Sequence, residues 1–411
     1  MNIQVWYSTE SFADYIIEHT VLKKHACTKC LLQESDASKP RGFHAVPDHI
    51  KKILYLDAPD IIVEVDSDPI FSIEISKEAG TGHNVFQRFP RLVASAENGI
   101  PSFYIYSEAV IIPRKYKGKF KYSWDAINPL ICHALERLMS VFNTPALLFF
   151  YPSHYKGNRD CARMLSNKGL KNCREKGAKF MDCPEVDSEM TALFRCINLI
   201  VSQVEKAGLS AIRGPIMGFE PFKKRREWMA QYLYTHNDKP LDALSPLSAV
   251  VEVDTDVILN YLLKMSGMNR ISGVIPSRPR TIIYCADSNF RADPYMGALA
   301  SIDYMRCRNG KTFEDRDYNL VMAWGKVAVK ENRLHITGHA SINDFSRHLK
   351  KIGSRNLLSR SYTEIRRKKC IPRYYMQARY GSTFTKAKEI RISSYFCDAI
   401  LFRNGVLWRE G

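Results

Sequence analysis

The sequence of 411 residues has no apolar run close to the roughly 18 residues that a membrane-spanning helix needs. Its longest apolar stretch, Ala146–Tyr151, has the length of a buried strand. The N-terminus lacks the basic and then apolar pattern of a secretory signal peptide. From these absences we expect a soluble protein without a membrane partner.

Two further absences narrow the class of function. The chain contains no glycine-rich phosphate loop of the Walker type and no Rossmann fingerprint, so the sequence indicates neither nucleotide hydrolysis nor hydride transfer. Its eleven cysteines are odd in number and lack the spacing of a disulfide framework. Reduced thiols in a cytosol fit this pattern better than disulfides, so we predict a cytoplasmic protein.

Acidic residues are in the minority. The 43 Asp and Glu residues face 60 Lys and Arg residues, which leaves a formal net charge of +17. A charge of this sign and size favours a polyanionic partner, and nucleic acid is the simplest one. An incidentally basic soluble protein is the alternative on charge alone.

Two short strands with acidic faces are predicted at residues 60–66 and 70–76, because apolar and polar residues alternate in both. The polar positions that share a face are Asp60, Glu64 and Asp66 in the first strand and Ser72, Glu74 and Ser76 in the second. A hairpin turn at Ser67-Asp68 would bring Asp60 and Glu74 together at its open end. Two carboxylates this close on rigid strands suit a hard divalent cation, and the alternative is a solvated sheet face.

The elements around these strands indicate a mixed α/β fold. We predict a helix from Ser8 or Thr9 to about His25, a short strand at Ile53–Leu56, the two acidic strands, a helix from about Gly82 to Asn98 bent near Pro90, and a strand at Ser102–Tyr106. Residues 27–47 have the composition of a loop. A strand that is reached through a crossover helix implies a parallel pairing.

The rest of the chain is also predicted to be α/β. The predicted helices are Ala126–Phe142, Met190–Ala207, Pro221–Tyr234 and Met296–Arg306; the strands are Ala146–Phe150 and Thr281–Ala286, and a hairpin within Ile390–Trp408 turns at Asn404-Gly405. Tyr155–Cys183 has little periodicity and many cations, which is typical of a linker or a DNA-facing insertion. We therefore divide the chain into domains at 1–155 and 156–411.

The order helix, three strands, helix, strand, with Pro59-Asp60 on one strand and Glu74 at the end of the next, resembles the core of the PD-(D/E)XK nuclease superfamily, which includes many type II restriction endonucleases. The likeness covers roughly residues 9 to 106. It implies a mixed sheet flanked by helices with a C-terminal α/β extension. It also implies that Asp60 and Glu74 bind catalytic Mg²⁺, with Glu64 and Glu18 as further candidate ligands.

The chain departs from that family at the lysine of its motif. This lysine stands two residues after the acid, where this chain has Ser76. Lys77 follows, and strict alternation turns it to the other face unless the strand ends or bulges at Ser76. Gln87 or Arg88 on the next helix is the alternative for its catalytic role.

A zinc site is the second metal hypothesis. Cys27 and Cys30, followed by His44 and His49, loosely match the spacing of a structural Zn²⁺ site with two cysteines and two histidines. The apolar core of a zinc finger is absent, however, and Pro47 interrupts the helix that would carry both histidines. Unpaired thiols and solvated histidines are therefore the preferred interpretation.

Clusters of cations predict where nucleic acid binds. Residues 347–391 mix cations with tyrosines that can contact a DNA backbone or stack on bases. The densest clusters are Arg366, Arg367, Lys368 and Lys369, and Lys223, Lys224, Arg225 and Arg226. A solvated helix face is the alternative for either cluster alone.

The combined prediction is a sequence-specific, Mg²⁺-dependent endonuclease for double-stranded DNA, of the type II restriction kind. Asp60, Glu74, Lys77 and Gln87 are the predicted catalytic residues, in a nuclease domain at 1–155. Residues 156–411 would recognise DNA and form a homodimer, since cutting two strands takes two sites. The alternatives are a repair or RNA-directed nuclease on the same core, and a DNA-binding protein without catalysis, which Ser76 favours.

Overall fold

The structure, a computed structural model, describes residues 1–32, 46–54, 58–76, 85–86, 88–151, 165–176, 183–237, 250–271, 273, 275–285, 307–310, 315–338, 341, 343–344 and 397–408. The chain divides into two compact units. The first comprises Met1–Leu32 and Pro59–Asp238, and the second comprises Gln33–Ala58 and Lys239–Gly411. The boundary expected from the sequence, between residues 155 and 156, falls inside the first unit.

The described elements alternate between helices and strands. The helices are α1 (Glu10–His19), α2 (Asp48–Leu54), α3 (Phe89–Glu97), α4 (Leu130–Phe142), α5 (Asn167–Lys176), α6 (Ser188–Ala207), α7 (Glu220–His236) and α8 (Thr255–Ser266). The strands are β1 (Ile3–Tyr7), β2 (Cys27–Leu31), β3 (Ile61–Val65), β4 (Asp68–Ile75), β5 (Ser102–Tyr106), β6 (Ala109–Tyr116), β7 (Lys119–Ala126), β8 (Ala146–Phe150), β9 (Val250–Asp254), β10 (Arg280–Cys285), β11 (Tyr318–Ala323), β12 (Lys326–Lys330), β13 (Arg333–Thr337), β14 (Ala399–Phe402) and β15 (Gly405–Trp408).

A mixed sheet forms the centre of the first unit, with the strand order β2-β1-β3-β4-β5-β8. Strand β3 is antiparallel to both of its neighbours, whereas β4, β5 and β8 are mutually parallel. This arrangement confirms the predicted α/β class with a mixed sheet and flanking helices. Among the described helices, none combines the length and apolar character needed to cross a membrane.

The hairpin of β3 and β4 turns at Asp66 and Ser67, because Val65 pairs with Asp68. Both turn residues have positive φ, 50° and 70°. Such values are typical of the two-residue turns whose twist matches that of the flanking strands. The predicted hairpin is confirmed, with its turn one residue earlier than expected.

Helices cover both faces of the sheet beside this hairpin. On one face, Ser72 of β4 hydrogen-bonds to Ser95 of α3 at 2.8 Å. On the other face, Phe103 of β5 packs against Phe222 of α7, with ring centroids 6.4 Å apart. A sheet covered on both faces accounts for the fully buried β3 and β5, since neither strand has a solvent-facing side.

Helix α3 begins later than the sequence predicted, at Phe89 instead of near Gly82. Pro90 lies in its first turn, where the missing amide proton costs no hydrogen bond, so the proline starts the helix and does not bend it. The predicted stop is confirmed, because α3 ends before Asn98 and Gly99 has a φ of +70°.

The prediction of a strand at Ile53–Leu56 was wrong. Residues 48–54 form α2, whose buried residues Ile50, Ile53 and Leu54 follow the helical spacing. The place beside β3 is taken by β1 at the N-terminus. The predicted loop at Cys27 also contains a strand, since β2 pairs in parallel with β1 at the edge of the sheet.

Some of the remaining predictions for the first unit are confirmed, and others are wrong. Helices α6 and α7 and strand β8 match their predicted positions within two residues. Helix α4 begins at Leu130 and not at Ala126, because residues 119–126 form β7. The sequence analysis did not anticipate the hairpin that β6 and β7 form.

The second unit has its own sheet, with the order β15-β14-β11-β10-β9, and a separate hairpin of β12 and β13. Strand β10 and the terminal hairpin with its turn at Asn404-Gly405 are confirmed. Asp398 is buried in this unit and accepts hydrogen bonds from Arg316 at 2.8 Å and from the Leu320 amide at 2.9 Å. The predicted helix at Met296–Arg306 lies outside the described residues.

Candidate active site

Asp60 and Glu74 come together at the open end of the β3–β4 hairpin. Ile61 pairs with Ile73, so the antiparallel register places Asp60 opposite Glu74 on the same face of the sheet. The negative charge of Asp60 also raises the pKa of Glu74. The predicted juxtaposition of these two carboxylates is therefore confirmed, while their catalytic roles stay predictions.

The carboxylate of Asp60 is held by Ser8, which follows β1, and by Ile75 of β4. Its Oδ1 accepts a hydrogen bond from the Ser8 hydroxyl at 2.9 Å, and its Oδ2 accepts one from the Ile75 backbone amide at 2.9 Å. The backbone carbonyl of Asp60 accepts a further hydrogen bond from the Ser8 amide. These contacts fix the side chain before any ligand binds, which is a property of preorganised sites.

Glu74 is fully buried and pairs with two arginines at the start of α3, Arg88 just before the helix and Arg91 in its first turn. Arg91 Nη1 lies 2.5 Å from Glu74 Oε2, and Arg88 Nε lies 3.5 Å from Glu74 Oε1. Both arginines stand at the N-terminal end of α3, where a positive charge opposes the helix dipole. The position is unfavourable for an isolated helix, so Glu74 is the group that stabilises these cations there.

Burial raises the pKa of Glu74 to about 8. The positive charge of Arg91 lowers it, Asp60 raises it, and Arg88 lowers it again, but the removal of water from the carboxylate has the largest effect. Glu74 can consequently exchange a proton near neutral pH. Carboxylates with such pKa values are common at functional sites.

The donor set fits a hard divalent cation only in part. Glu74 Oε1 is buried, and no described residue donates a hydrogen bond to it, so this oxygen has a lone pair to offer. Within the described ranges, no three His, Cys, Asp or Glu side chains converge as a metal site. Two carboxylates nevertheless suffice for Mg²⁺, which usually keeps several waters and takes further ligands from a substrate phosphate.

The other candidate metal ligands lie elsewhere. Glu64 is buried four residues along β3 from Asp60, about 13 Å away at about 3.3 Å per residue, so it does not reach an ion between Asp60 and Glu74. It lies opposite Gln4 and, after burial, is the second cause of the raised pKa of Cys30. Glu18 is exposed on α1.

The described residues answer only in part which side chain takes the role of the family's lysine. Ser76 is buried just after β4, where the lysine of the motif would stand. Lys77 and Gln87 lie outside the described residues. Arg88 is the one predicted alternative within them, and its side chain is 35 % exposed while its Nε faces Glu74. A cation thus stands beside the acid, supplied by the residue that precedes α3 and not by β4.

Two tyrosines of β5 continue the polar cluster away from Asp60. Tyr104 is opposite Glu74 in the parallel ladder and donates a hydrogen bond to the Val85 carbonyl at 2.9 Å. The Tyr106 ring lies 5.4 Å from that of Tyr104. Burial raises the pKa of Tyr106, the negative charge of Asp125 raises it further, and the positive charge of Arg88 lowers it.

The predicted basic cluster on α7 is divided between surface and interior. Lys223 is exposed, and Lys224 pairs with Glu220 one turn earlier. Arg226 Nη2 lies 2.5 Å from Glu136 of α4. The cluster therefore offers fewer unpaired cations to DNA than its sequence suggests.

Arg225 does not lie on that surface at all. It is only 6 % exposed, and its guanidinium donates to both carboxylate oxygens of Glu189, at 3.0 and 2.6 Å. Its Nε donates to the Leu148 carbonyl, and its plane stacks 3.6 Å from the Trp228 ring centroid. We therefore remove Arg225 from the predicted DNA-binding residues, because these contacts hold α6, α7 and β8 together.

The described residues test only part of the zinc hypothesis and do not include the second basic cluster. Cys27 and Cys30 are three residues apart in β2, and such residues point to opposite faces of a strand. They do not converge on one ion in this strand, which corrects the pairing that the zinc hypothesis needs. His49 lies on α2 of the second unit. His44 and the cluster at Arg366, Arg367, Lys368 and Lys369 lie outside the described residues.

Sequence reasoning missed Arg91, which forms the shortest contact to Glu74. The signal was present, because Arg88 and Arg91 are three residues apart and so share one face of a helix. The predicted start of the helix near Gly82 hid it, since it placed both arginines in the middle of the helix. There, a cation does not oppose the dipole and needs no acidic partner.

Comparison of the chain with protein-family models, curated protein sequences and solved structures found no match. The functional interpretation therefore depends on the geometry and chemistry of the site itself.

Proposed function

We propose that this protein is a Mg²⁺-dependent endonuclease that cuts double-stranded DNA, with Asp60 and Glu74 at its catalytic centre. The observation that carries the proposal is the placement of these two carboxylates opposite each other at the end of an antiparallel hairpin, followed by a helical crossover to the parallel strand β5. This arrangement of strands and acids resembles the PD-(D/E)XK nucleases. A net charge of +17 supports a polyanionic substrate.

Each residue of the site has a defined task in this proposal. Asp60 and Glu74 hold the metal ion, which when bound activates a water and stabilises charge on the phosphate. Arg88 takes the place of the missing lysine, because its partly exposed guanidinium faces Glu74 and carries a fixed positive charge toward a scissile phosphate. Arg91 is buried and positions the Glu74 carboxylate through their ion pair.

A DNA-binding protein without catalysis is the second candidate. It is favoured by the ion pairs of Glu74, because Arg88 and Arg91 both occupy this carboxylate in place of a metal ion. In that case, the cluster stabilises the fold by joining α3 to β4. Whether the acids support metal-dependent turnover is the difference between the two candidates.

Incubation of the purified full-length chain with supercoiled plasmid separates these candidates. We expect nicked and linear products with Mg²⁺, and intact plasmid with EDTA or with Ca²⁺, which is expected to support binding without turnover. Parallel reactions with single-stranded DNA and with RNA test the repair and RNA-directed alternatives. Binding without cutting of any of these polymers under all metal conditions would establish the second candidate in place of the nuclease.

Dimerisation belongs to the same proposal. Cutting both strands of a duplex takes two active sites, and a homodimer provides them with the two-fold symmetry of a palindromic target. Light scattering with and without duplex DNA measures the assembly. A monomer that linearises plasmid in a single binding event would contradict this part of the proposal.

A further inference from the structure

The hairpin of β6 and β7 exposes the ends of both of its strands near the turn. Each strand has eight residues, so the hairpin is about 26 Å long at about 3.3 Å per residue. Its two turn residues, Lys117 and Gly118, have φ values of 46° and 78°, which match a tight two-residue turn. The large side chains of Tyr116 and Phe120 near this turn are 66 % and 58 % exposed.

Positive charge covers the outer half of this hairpin. No Asp or Glu occurs between residues 109 and 124, whereas five cations do: Arg114, Lys115, Lys117, Lys119 and Lys121. All five are exposed. Like charges repel across a ladder, and within the hairpin Asp125, which lies 3.8 Å from Arg114, offsets part of this repulsion. An anionic partner would reduce the rest of it.

The cations are sorted by face. Arg114 pairs with Lys121, and Tyr116 pairs with Lys119, so these four side chains project from the same side of the two strands. The opposite side places Phe120 beside Lys115. Three cations and a tyrosine hydroxyl in a row are the groups that contact phosphates along a DNA backbone.

Helix α5 supports the hairpin from the side. The Asn167 side chain accepts a hydrogen bond from the Tyr122 amide at 2.6 Å, and Arg174 donates one to the Ile111 carbonyl at 3.0 Å. Lys168 of this helix is exposed and adds a further cation. The hairpin is thus a braced arm, and its basic surface continues onto α5.

The base of the arm adjoins the candidate active site. Arg114 Nη2 lies 3.8 Å from Asp125 Oδ2 at the base of the hairpin, and Asp125 in turn acts on the pKa of Tyr106. Tyr106 stands next to Tyr104, which is opposite Glu74. Asp125, Tyr106 and Tyr104 thus connect the base of the arm to Glu74.

We infer that the β6–β7 hairpin is a duplex-binding arm, whose face formed by Arg114, Tyr116, Lys119 and Lys121 contacts the phosphates of double-stranded DNA. A two-stranded ribbon fits the major groove, which is about 12 Å wide. The inference deepens the proposed nuclease function, because it identifies the surface that brings the duplex to the acidic pair. It needs no turnover, so binding tests it separately.

The test compares two triple variants of the full-length chain with equal changes in charge. One carries Arg114→Gln, Lys119→Gln and Lys121→Gln. The matched control carries three glutamines at exposed lysines of the same unit, Lys23→Gln, Lys24→Gln and Lys206→Gln. Fluorescence anisotropy with a labelled duplex of random sequence, in EDTA, gives the affinity between about 50 and 200 mM salt.

We expect the arm variant to bind at least about tenfold more weakly and its slope of log K against log salt to fall by about 2.7, at about 0.9 for each lost phosphate contact. The control variant should keep the slope of the wild type. Equal losses in both variants would reduce the effect to net charge and overturn the inference, as would an unchanged slope in the arm variant. Thermal unfolding by circular dichroism identifies a misfolded variant, and Arg114→Lys, Lys119→Arg and Lys121→Arg together should restore binding.

Two outcomes of these experiments distinguish this inference from the nuclease proposal. If the wild type binds duplex through the arm but cuts nothing with Mg²⁺, the nuclease proposal fails and the arm stands. If the wild type cuts plasmid and the arm variant cuts and binds equally well, the arm is wrong and the nuclease stands. Vesicles of anionic lipid serve as the competing polyanion, and arm-dependent binding to vesicles without arm-dependent binding to duplex would also overturn the inference.

Discussion

Arg91 donates a hydrogen bond to Glu74 from the first turn of α3, where a cation opposes the helix dipole. The pair joins the helix to the strand that carries the candidate catalytic acid. Loss of one member of a buried ion pair commonly costs about 3–5 kcal/mol. The same contact therefore serves the fold in both candidate functions, and the predictions below separate stability from catalysis.

Asp60→Asn and Glu74→Gln should each abolish plasmid cutting while duplex binding persists, because each removes a carboxylate that holds the metal ion. Losses of several kcal/mol in transition-state stabilisation are expected, which means rates lower by about three orders of magnitude or more. Asp68→Asn, at the exposed turn of the same hairpin, is the matched control and should cut normally. Cutting by both active-site variants at the wild-type rate would eliminate this site.

Arg88→Ala should slow cutting by about a hundredfold or more without changing the melting temperature greatly, because its partly exposed side chain acts on the phosphate and not on the fold. Lys77→Ala and Gln87→Ala are the comparison variants for the same role. Single-turnover rates at saturating Mg²⁺ measure the effect. A large loss in Lys77→Ala with none in Arg88→Ala would return the role to the lysine.

The stability of Glu74→Gln relative to the wild type should rise with pH. Burial raises the pKa of Glu74 to about 8 from an ordinary value of 4.5. The stabilisation from this proton is therefore complete below about pH 4.5 and is lost as the pH rises through about 8. Glutamine resembles the protonated acid and does not titrate, so the difference in the free energy of unfolding should grow by a few kcal/mol between about pH 5 and pH 9, at about 1.4 kcal/mol per pKa unit.

Urea unfolding in EDTA at several pH values measures that difference. Should the relative stability of Glu74→Gln fall with rising pH, Arg91 would be keeping Glu74 ionised, and the pKa of the acid would lie below its ordinary value.

Arg225→Ala should destabilise the first unit by about 3–5 kcal/mol, because it leaves Glu189 without its bidentate partner. Lys223→Ala on the same helix should change the free energy of unfolding by less than about 0.5 kcal/mol. Urea unfolding gives both values, and anisotropy with duplex gives the salt slope. A smaller slope in Arg225→Ala without loss of stability would show that this arginine contacts DNA after all.

The sequence predicted the site better than it predicted the sheet around it. Asp60 and Glu74 were predicted to lie close together because alternation in two strands and one short turn limit their register. The turn lies one residue earlier than predicted, and a register shift between Val63 and Glu64 places Asp60 opposite Glu74. The third strand was misplaced, because an apolar run of four residues at 53–56 is compatible with either a helix or a strand. Only the tertiary pairing of β1 with β3 settles which segment completes the sheet.

The sequence also did not predict contacts between residues far apart in the chain. Arg225 pairs with Glu189, which lies 36 residues earlier in the chain, and Arg226 pairs with Glu136, which lies 90 residues earlier. Periodicity reports which face a residue occupies but not what covers that face. The four consecutive cations of α7 were therefore interpreted as one surface, although the helical spacing places Arg225 in the interior.

The second unit interrupts the first, since Gln33–Ala58 lies between the two segments of the first unit along the chain. During synthesis, α2 therefore leaves the ribosome long before residues 239–411, with which it clusters, exist. The first unit can therefore complete its own sheet before the second unit has been synthesised. For the same reason, no single cut in the chain yields two intact units, and a fragment of 239–411 would lack the segment Gln33–Ala58 that clusters with it.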